Sequence, residues 1–186
     1  MNKLLELENL KKEIESDKSL PLFGLSNLVF GEGDENASVM FIGEAPGFHE
    51  DRLQRPFVGR AGKLLDKLLA EIKWQRESVY ITNIVKRRPP KNRDPLPEEI
   101  LAYKPYLKKQ IQIIDPKIIA PLGRFAMNYF MPLAKILQDH GKAFTMRGKI
   151  IYPLYHPAAA LRSTQILKEL ENDFKKLPKL VEKMLI

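Results

Sequence analysis

Cysteine is absent from the 186-residue sequence. That excludes disulfides, thiolate metal sites, iron–sulfur ligation through the protein's own sulfur, and a cysteine nucleophile. Any catalysis must draw on carboxylates, hydroxyls, amides or the three histidines. Long apolar runs are missing as well. Met1 to Leu10 mixes acids, bases and leucines, unlike a secretion signal or a spanning helix. These absences fit a soluble, cytoplasmic protein with no membrane partner, and a monomer is expected. No internal repeat, low-complexity stretch or linker interrupts the chain, so residues 1–186 read as one domain. Neither a P-loop nor a G-x-G-x-x-G string occurs, which speaks against a nucleotide- or phosphate-binding α/β module.

What is present is basic and globular. The net charge of +8 suits a polyanionic partner such as nucleic acid, although solvated lysines give many proteins a similar balance. A hydrophobic content of 44% supports a sizeable core. Four short runs rich in β-branched and aromatic residues read as buried strands: Ser38–Ile42, Val79–Val85, Lys117–Leu122 and Lys149–Tyr155. Between them lie helical patterns. Ala61, Leu64, Leu65, Leu68, Leu69 and Ile72 form an amphipathic stripe. Pro97–Ile114 carries Glu98 and Glu99 in its first turn, where acids suit the helix dipole, and Pro105 predicts a kink or a break. A closing helix from Ile166 to Val181 is expected to bend or restart at Pro178. Asp139–Gly148 reads as a loop or short hairpin. Strand alternating with helix predicts an α/β fold with a mainly parallel four-stranded sheet covered on both faces.

In such a sheet ligands bind beyond the carboxyl ends of the strands. Three polar loops converge there. The first, Gly43 to Asp51, offers two glycines, a proline and the carboxylates of Glu44, Glu50 and Asp51. The second places Asn83 inside an apolar strand, where an amide needs either a structural hydrogen bond or a ligand. It continues through Lys86, Arg87, Arg88, Lys91 and Arg93, around two prolines, as a stiff basic loop suited to phosphates or simply to solvent. The third begins at His156, ahead of Pro157 and an alanine run. There an imidazole either satisfies the helix terminus or donates to an oxyanion. Phe57 is either core or a stacking platform. Arg52, Arg55, Arg60 and Arg162 extend the same face.

With those residues in place, the sequence resembles family 4 uracil-DNA glycosylases. The matching strings are GEAPGFHED (Gly43–Asp51), RPFVGRAGKLLDKLL (Arg55–Leu69), VYITNIVK (Val79–Lys86), RPPKNRDPLPEE (Arg88–Glu99), APLG (Ala120–Gly123) and HPAAALR (His156–Arg162). The resemblance implies a three-layer α/β/α sandwich and cleavage of the N-glycosidic bond of uracil in DNA. By position, Gly43 and Ala45 shape the uracil site, Phe57 stacks on the flipped base, and Asn83 reads its N3–H and O4. His156 faces O2, and Glu44, with Glu50 as the second candidate, helps the attacking water. Lys86, Arg88, Lys91 and Arg93 would touch DNA, and Leu161 with Arg162 would fill the gap left by the base. The alternative is a catalytically weak or inactive uracil- or DNA-binding member of the same fold.

One departure stands out. The family carries four cysteines on a [4Fe–4S] cluster, and by register these fall on Ser16, Ser19, Arg87 and about Tyr103. No cofactor is therefore expected. Arg87 is instead expected to pair with Glu13, Glu15 or Asp17 and pin the N-terminal segment. Covalent-trapping relatives carry a histidine in an inserted basic loop, and Arg87–Asp94 has neither.

Overall fold

The computed structural model describes residues 2–184. Helix α1 (Lys3–Ser16) starts at Asn2, whose side chain accepts a hydrogen bond from the Leu5 amide. There follow β1 (Glu32–Gly33), β2 (Val39–Gly43), α2 (Phe48–Leu53), α3 (Arg60–Glu71), β3 (Tyr80–Asn83) and α4 (Pro97–Ile114). The second half comprises β4 (Ile118–Pro121), α5 (Arg124–Phe130), α6 (Ile136–Asp139), β5 (Phe144–Met146) and β6 (Lys149–Ile151). It closes with α7 (Pro157–Ala160), α8 (Thr164–Phe174) and α9 (Leu177–Met184).

The sheet has six strands in the order β1-β3-β2-β4-β6-β5, rather than the four expected. The four apolar runs form its parallel centre, and β1 and β5 add antiparallel edges. Both additions are short, and neither carries the buried β-branched run that marks the central strands. Asp139–Gly148 contributes the first strand of a β5–β6 hairpin, as its composition suggested.

Alternation along each strand divides the core into two layers. Val39, Phe41, Ile81, Ile118, Ala120 and Ile150 pack with Leu65, Leu68 and Leu69 of α3 and with Leu170 and Phe174 of α8. Met40, Ile42, Tyr80, Ile119 and Ile151 face the other way. They meet Leu7, Leu10 and Ile14 of α1 and Tyr103, Leu107 and Ile114 of α4. This is the expected α/β/α sandwich.

The two prolines behave differently. α4 runs through Pro105 as one helix. The carbonyl that Pro105 cannot bond belongs to Leu101, whose 66% exposure lets water serve instead. The closing helix does restart, and Pro178 sits in the first turn of α9.

Candidate active site

β2 and β3 run in register, with Gly43 opposite Asn83, and their carboxyl ends open onto a cavity of about 520 Å³. Glu44, Ala45, Glu50, Phe57, Asn83 and His156 all line it. Gly43 lies beneath. A Cβ there would stand 2.4 Å from Asn83 Oδ1 and 2.6 Å from Phe57 Cζ, so only glycine lets the ring and the amide meet.

Phe57 is buried in a left-handed backbone conformation, φ 51°, which a bulky residue adopts only when its surroundings impose it. They do. Glu50 Oε1 accepts from the Val58 and Gly59 amides at 2.9 and 2.7 Å. Arg76 donates to the Pro56 and Phe57 carbonyls. Gly62 leaves no side chain in the way, since a Cβ would overlap the Phe57 carbonyl at 1.8 Å. Glu50 is thereby committed to shaping the loop.

Glu44 has a different environment. Its backbone is fixed because the Ile84 and Val85 amides donate to the Gly43 and Glu44 carbonyls, extending the β2–β3 pairing past the strands. Its carboxyl is half-buried, and burial, reinforced by the negative charge of Asp94, pushes the pKa up to about 7. Arg124 opposes this in part. Asp94 and Arg124 have no motif that marks them in the sequence as partners of Glu44. Only the fold brings their charges to bear on it.

Asn83 is 2% exposed, and its side-chain amide makes no hydrogen bond among the described residues. Its polar atoms are not sealed in protein, since Arg87 Nε alone is buried without a partner among the described residues, so they open onto the cavity and are free for a ligand. His156 caps α7, its Nδ1 accepting from the Ala158 amide at 3.1 Å. The imidazole proton therefore resides on Nε2. Burial holds the pKa down to about 4, against a smaller upward pull from Glu50, so the ring stays neutral. Gly123, with φ 86°, makes room for it, since a Cβ there would come within 2.8 Å of His156 Cβ. Phe57 and His156 rings lie 5.6 Å apart. The cavity thus presents an apolar ring, an unpartnered amide, an N–H donor and a weakly acidic carboxyl.

The basic loop is less uniform than its charge suggests. Lys86, expected at the DNA, is instead fully buried. Its Nζ donates to Thr82 Oγ1 at 2.5 Å and to Gln110 Oε1 at 2.6 Å. Those two acceptors match the two N–H groups of an uncharged amine, and burial drives its pKa well below 10.5. The unfolded chain holds that proton more tightly than the folded one, so wild-type stability should rise with pH up to about 10. Lys86→Met removes this slope. Urea midpoints measured from neutral pH to about pH 10 should therefore shift in favour of wild type over the variant. A difference independent of pH would mean that the folded protein buries the ammonium.

Arg88 is held by Asn92 and lies over the Phe48 ring, and Arg93 forms a two-point ion pair with Glu99 at 2.6 and 2.9 Å. Arg93 and Arg162 still line the cavity. Lys91 and Leu161 project into solvent. Arg55 turns away to pair with Glu32.

The positions where the resemblance implies a cluster do not fit one. Ser16 Oγ bonds back to its own helix, and Ser19 Oγ donates to Asp17. Tyr103 is buried and donates to the Pro21 carbonyl at 2.7 Å. Among the described residues Arg87 pairs with no acid, contrary to expectation. It is buried, donates to the Ser26 carbonyl at 2.7 Å and lies 5.0 Å from the Phe23 ring centroid. The candidate acids are engaged elsewhere, Asp17 with Tyr106 and Glu13 with Lys109. These contacts tie residues 13–26 to α4 and the basic loop. No thiolate is available, and a guanidinium would repel iron.

Comparison with known proteins fixes the class of this fold. The Uracil DNA glycosylase superfamily profile matches residues 30–180, and the chain belongs to that superfamily. Within it, the similarity points to one type. The chain is 47% identical over 185 residues to the type-4 uracil-DNA glycosylase of Sulfurisphaera tokodaii, covering 94% of this chain and 84% of that protein. It is 50% identical to that of Saccharolobus solfataricus over 81% of this chain and 74% of the relative. For the Archaeoglobus fulgidus protein the identity is 43%, over 95% of this chain and 94% of the relative.

Proposed function

We propose that this protein is a monofunctional uracil-DNA glycosylase of base excision repair, hydrolysing the N-glycosidic bond without an iron–sulfur cluster. The observation that carries the reading is the unpartnered Asn83 amide, which lines one cavity with neutral His156 and half-buried Glu44. Uracil flipped from the strand stacks on Phe57. The Asn83 side chain donates to O4 and accepts from N3–H. Cytosine reverses that pattern and would leave buried polar groups unpaired.

Glu44 in its carboxylate form takes a proton from water, and the oxygen bonds to C1′ of the deoxyribose. The C1′–N1 bond breaks, and its electron pair leaves with the base as the uracil anion. The His156 Nε2–H donates to O2, where that negative charge gathers. The uracil anion then takes up a proton as Glu44 gives its own back, directly or through water, so the products are free uracil and an abasic strand. Lys91 and Arg162 lie where phosphates of the strand pass, and Leu161 fills the gap in the duplex. The superfamily match and the type-4 relatives support the reaction, and the absence of cysteine supports the missing cluster.

The test is incubation with a uracil-containing oligonucleotide, then alkali to cut abasic sites. Cleavage by colourless, chelator-treated protein is expected. Retention on the uracil strand without base release would show a binding module instead. Activity that appears only with bound iron would reject the clusterless reading.

A further inference from the structure

Phe48 stands out beside the residues that line the cavity. It opens α2 directly after Pro46 and Gly47, which line the cavity, yet it is 51% exposed. A single exposed apolar side chain is ordinary. This one is built into its surroundings. The Arg88 guanidinium lies over the ring, 5.2 Å from its centroid, and the His49 ring meets it edge-on at 5.4 Å. Arg88 is itself fixed. Its Nε donates to Asn92 Oδ1 at 2.6 Å, and its Nη1 lies 4.0 Å from Asp51 Oδ2. Pro89 and Asn92, next to that contact, line the same cavity.

A cation occupies one face of the ring, and the exposure falls on the remainder. We propose that Phe48, backed by Arg88, is a stacking platform for the nucleobase adjacent to the flipped uracil in the same strand. The proposal rests on the glycosylase reading above. Every base offers a π face, so an exposed ring beside the cavity accepts any neighbour without reading its sequence. The guanidinium keeps the ring from collapsing onto the protein surface and places a positive charge near the strand. It also accounts for Arg88, which serves the ring first. On the wall built by α7, Leu161 is 41% exposed, so the cavity mouth carries a second apolar projection. Together they would hold the strand on both sides of the extruded nucleotide.

The experiment uses single-stranded uracil oligonucleotides. In one set the base on the 5′ or the 3′ side of uracil is replaced by an abasic spacer. Wild type, Phe48→Leu and Phe48→Trp are compared for KM and for single-turnover rate. Phe48→Leu should raise KM roughly tenfold with little change in rate, and Phe48→Trp should restore it. With the spacer on the stacked side, wild type and Phe48→Leu should become equal. Equal KM values on normal DNA, or a loss that persists undiminished on both spacer strands, would overturn the platform alone. Failure of wild type to release uracil would overturn the glycosylase reading, and the platform with it.

Discussion

Glu44→Gln is expected to slow single-turnover uracil release by roughly 10²- to 10⁴-fold, the range for loss of a general base. A carboxyl whose pKa lies at about 7 is half ionised at neutral pH, and it is a stronger base than an ordinary glutamate. Wild-type activity should therefore fall about tenfold per pH unit below neutrality, as the base takes up its proton. The glutamine variant should show no such limb. Neighbouring charges predict the direction of further shifts. Asp94 raises the Glu44 pKa, so Asp94→Asn should move the limb to lower pH. Arg124 lowers it, so Arg124→Met should move the limb up. Stability separates this from unfolding. A carboxyl with a folded-state pKa above its unfolded value favours the fold at low pH, and that contribution fades as pH rises from 4.5 through 7. The glutamine variant should accordingly be no less stable than wild type at alkaline pH. An unchanged acid limb in Glu44→Gln would remove Glu44 from the reaction.

Much of this architecture is legible in the sequence because the central strands are buried on both faces. Phe41 packs toward α3 while Met40 packs toward α1, so the run has to be apolar throughout and advertises itself. β1 is two residues long and earns its place only by pairing with β3, a contact no local pattern announces. The site loops were legible for a similar reason. Gly43 and Gly62 are glycines because Phe57 occupies the space their side chains would need, and such steric demands leave fixed letters in the chain.

Charge was the least legible feature. Lys86, Arg87 and Arg88 are consecutive basic residues with three unrelated fates: a buried core amine, a buried clamp on the N-terminal segment, and backing for an exposed ring. Their roles depend on Gln110, Ser26 and Phe48, which are remote in sequence. A basic string alone therefore overstates how many of its charges can reach a phosphate. Lys91 remains exposed, and Arg93 spends its guanidinium on Glu99. The N-terminal segment follows the same logic. Tyr103 and Tyr106 of α4 each donate to the 17–21 segment, so two hydroxyls remote in sequence bind that segment to the helix.

His156→Ala should cost roughly 10²- to 10³-fold in single-turnover rate, the usual effect of losing one donor aimed at a developing oxyanion. That corresponds to about 3–4 kcal/mol of transition-state stabilisation. The donor's identity follows from a backbone contact: the Ala158 amide occupies Nδ1, which leaves only Nε2 to carry the proton into the cavity. Because the pKa lies at about 4, the ring is neutral throughout the working range. Loss of activity with rising pH between about 5 and 8 is therefore not expected from this residue. A protonated histidine would impose it. Alanine also removes the helix cap, at a cost of about 1 kcal/mol in stability, and the two losses have to be told apart. His156→Asn does so. Asparagine caps helices well, so it should recover stability, but its side chain is too short to place a donor where Nε2 stands, so the rate should stay low. If asparagine restored the rate along with the stability, His156 would be a structural cap and the oxyanion would be stabilised elsewhere.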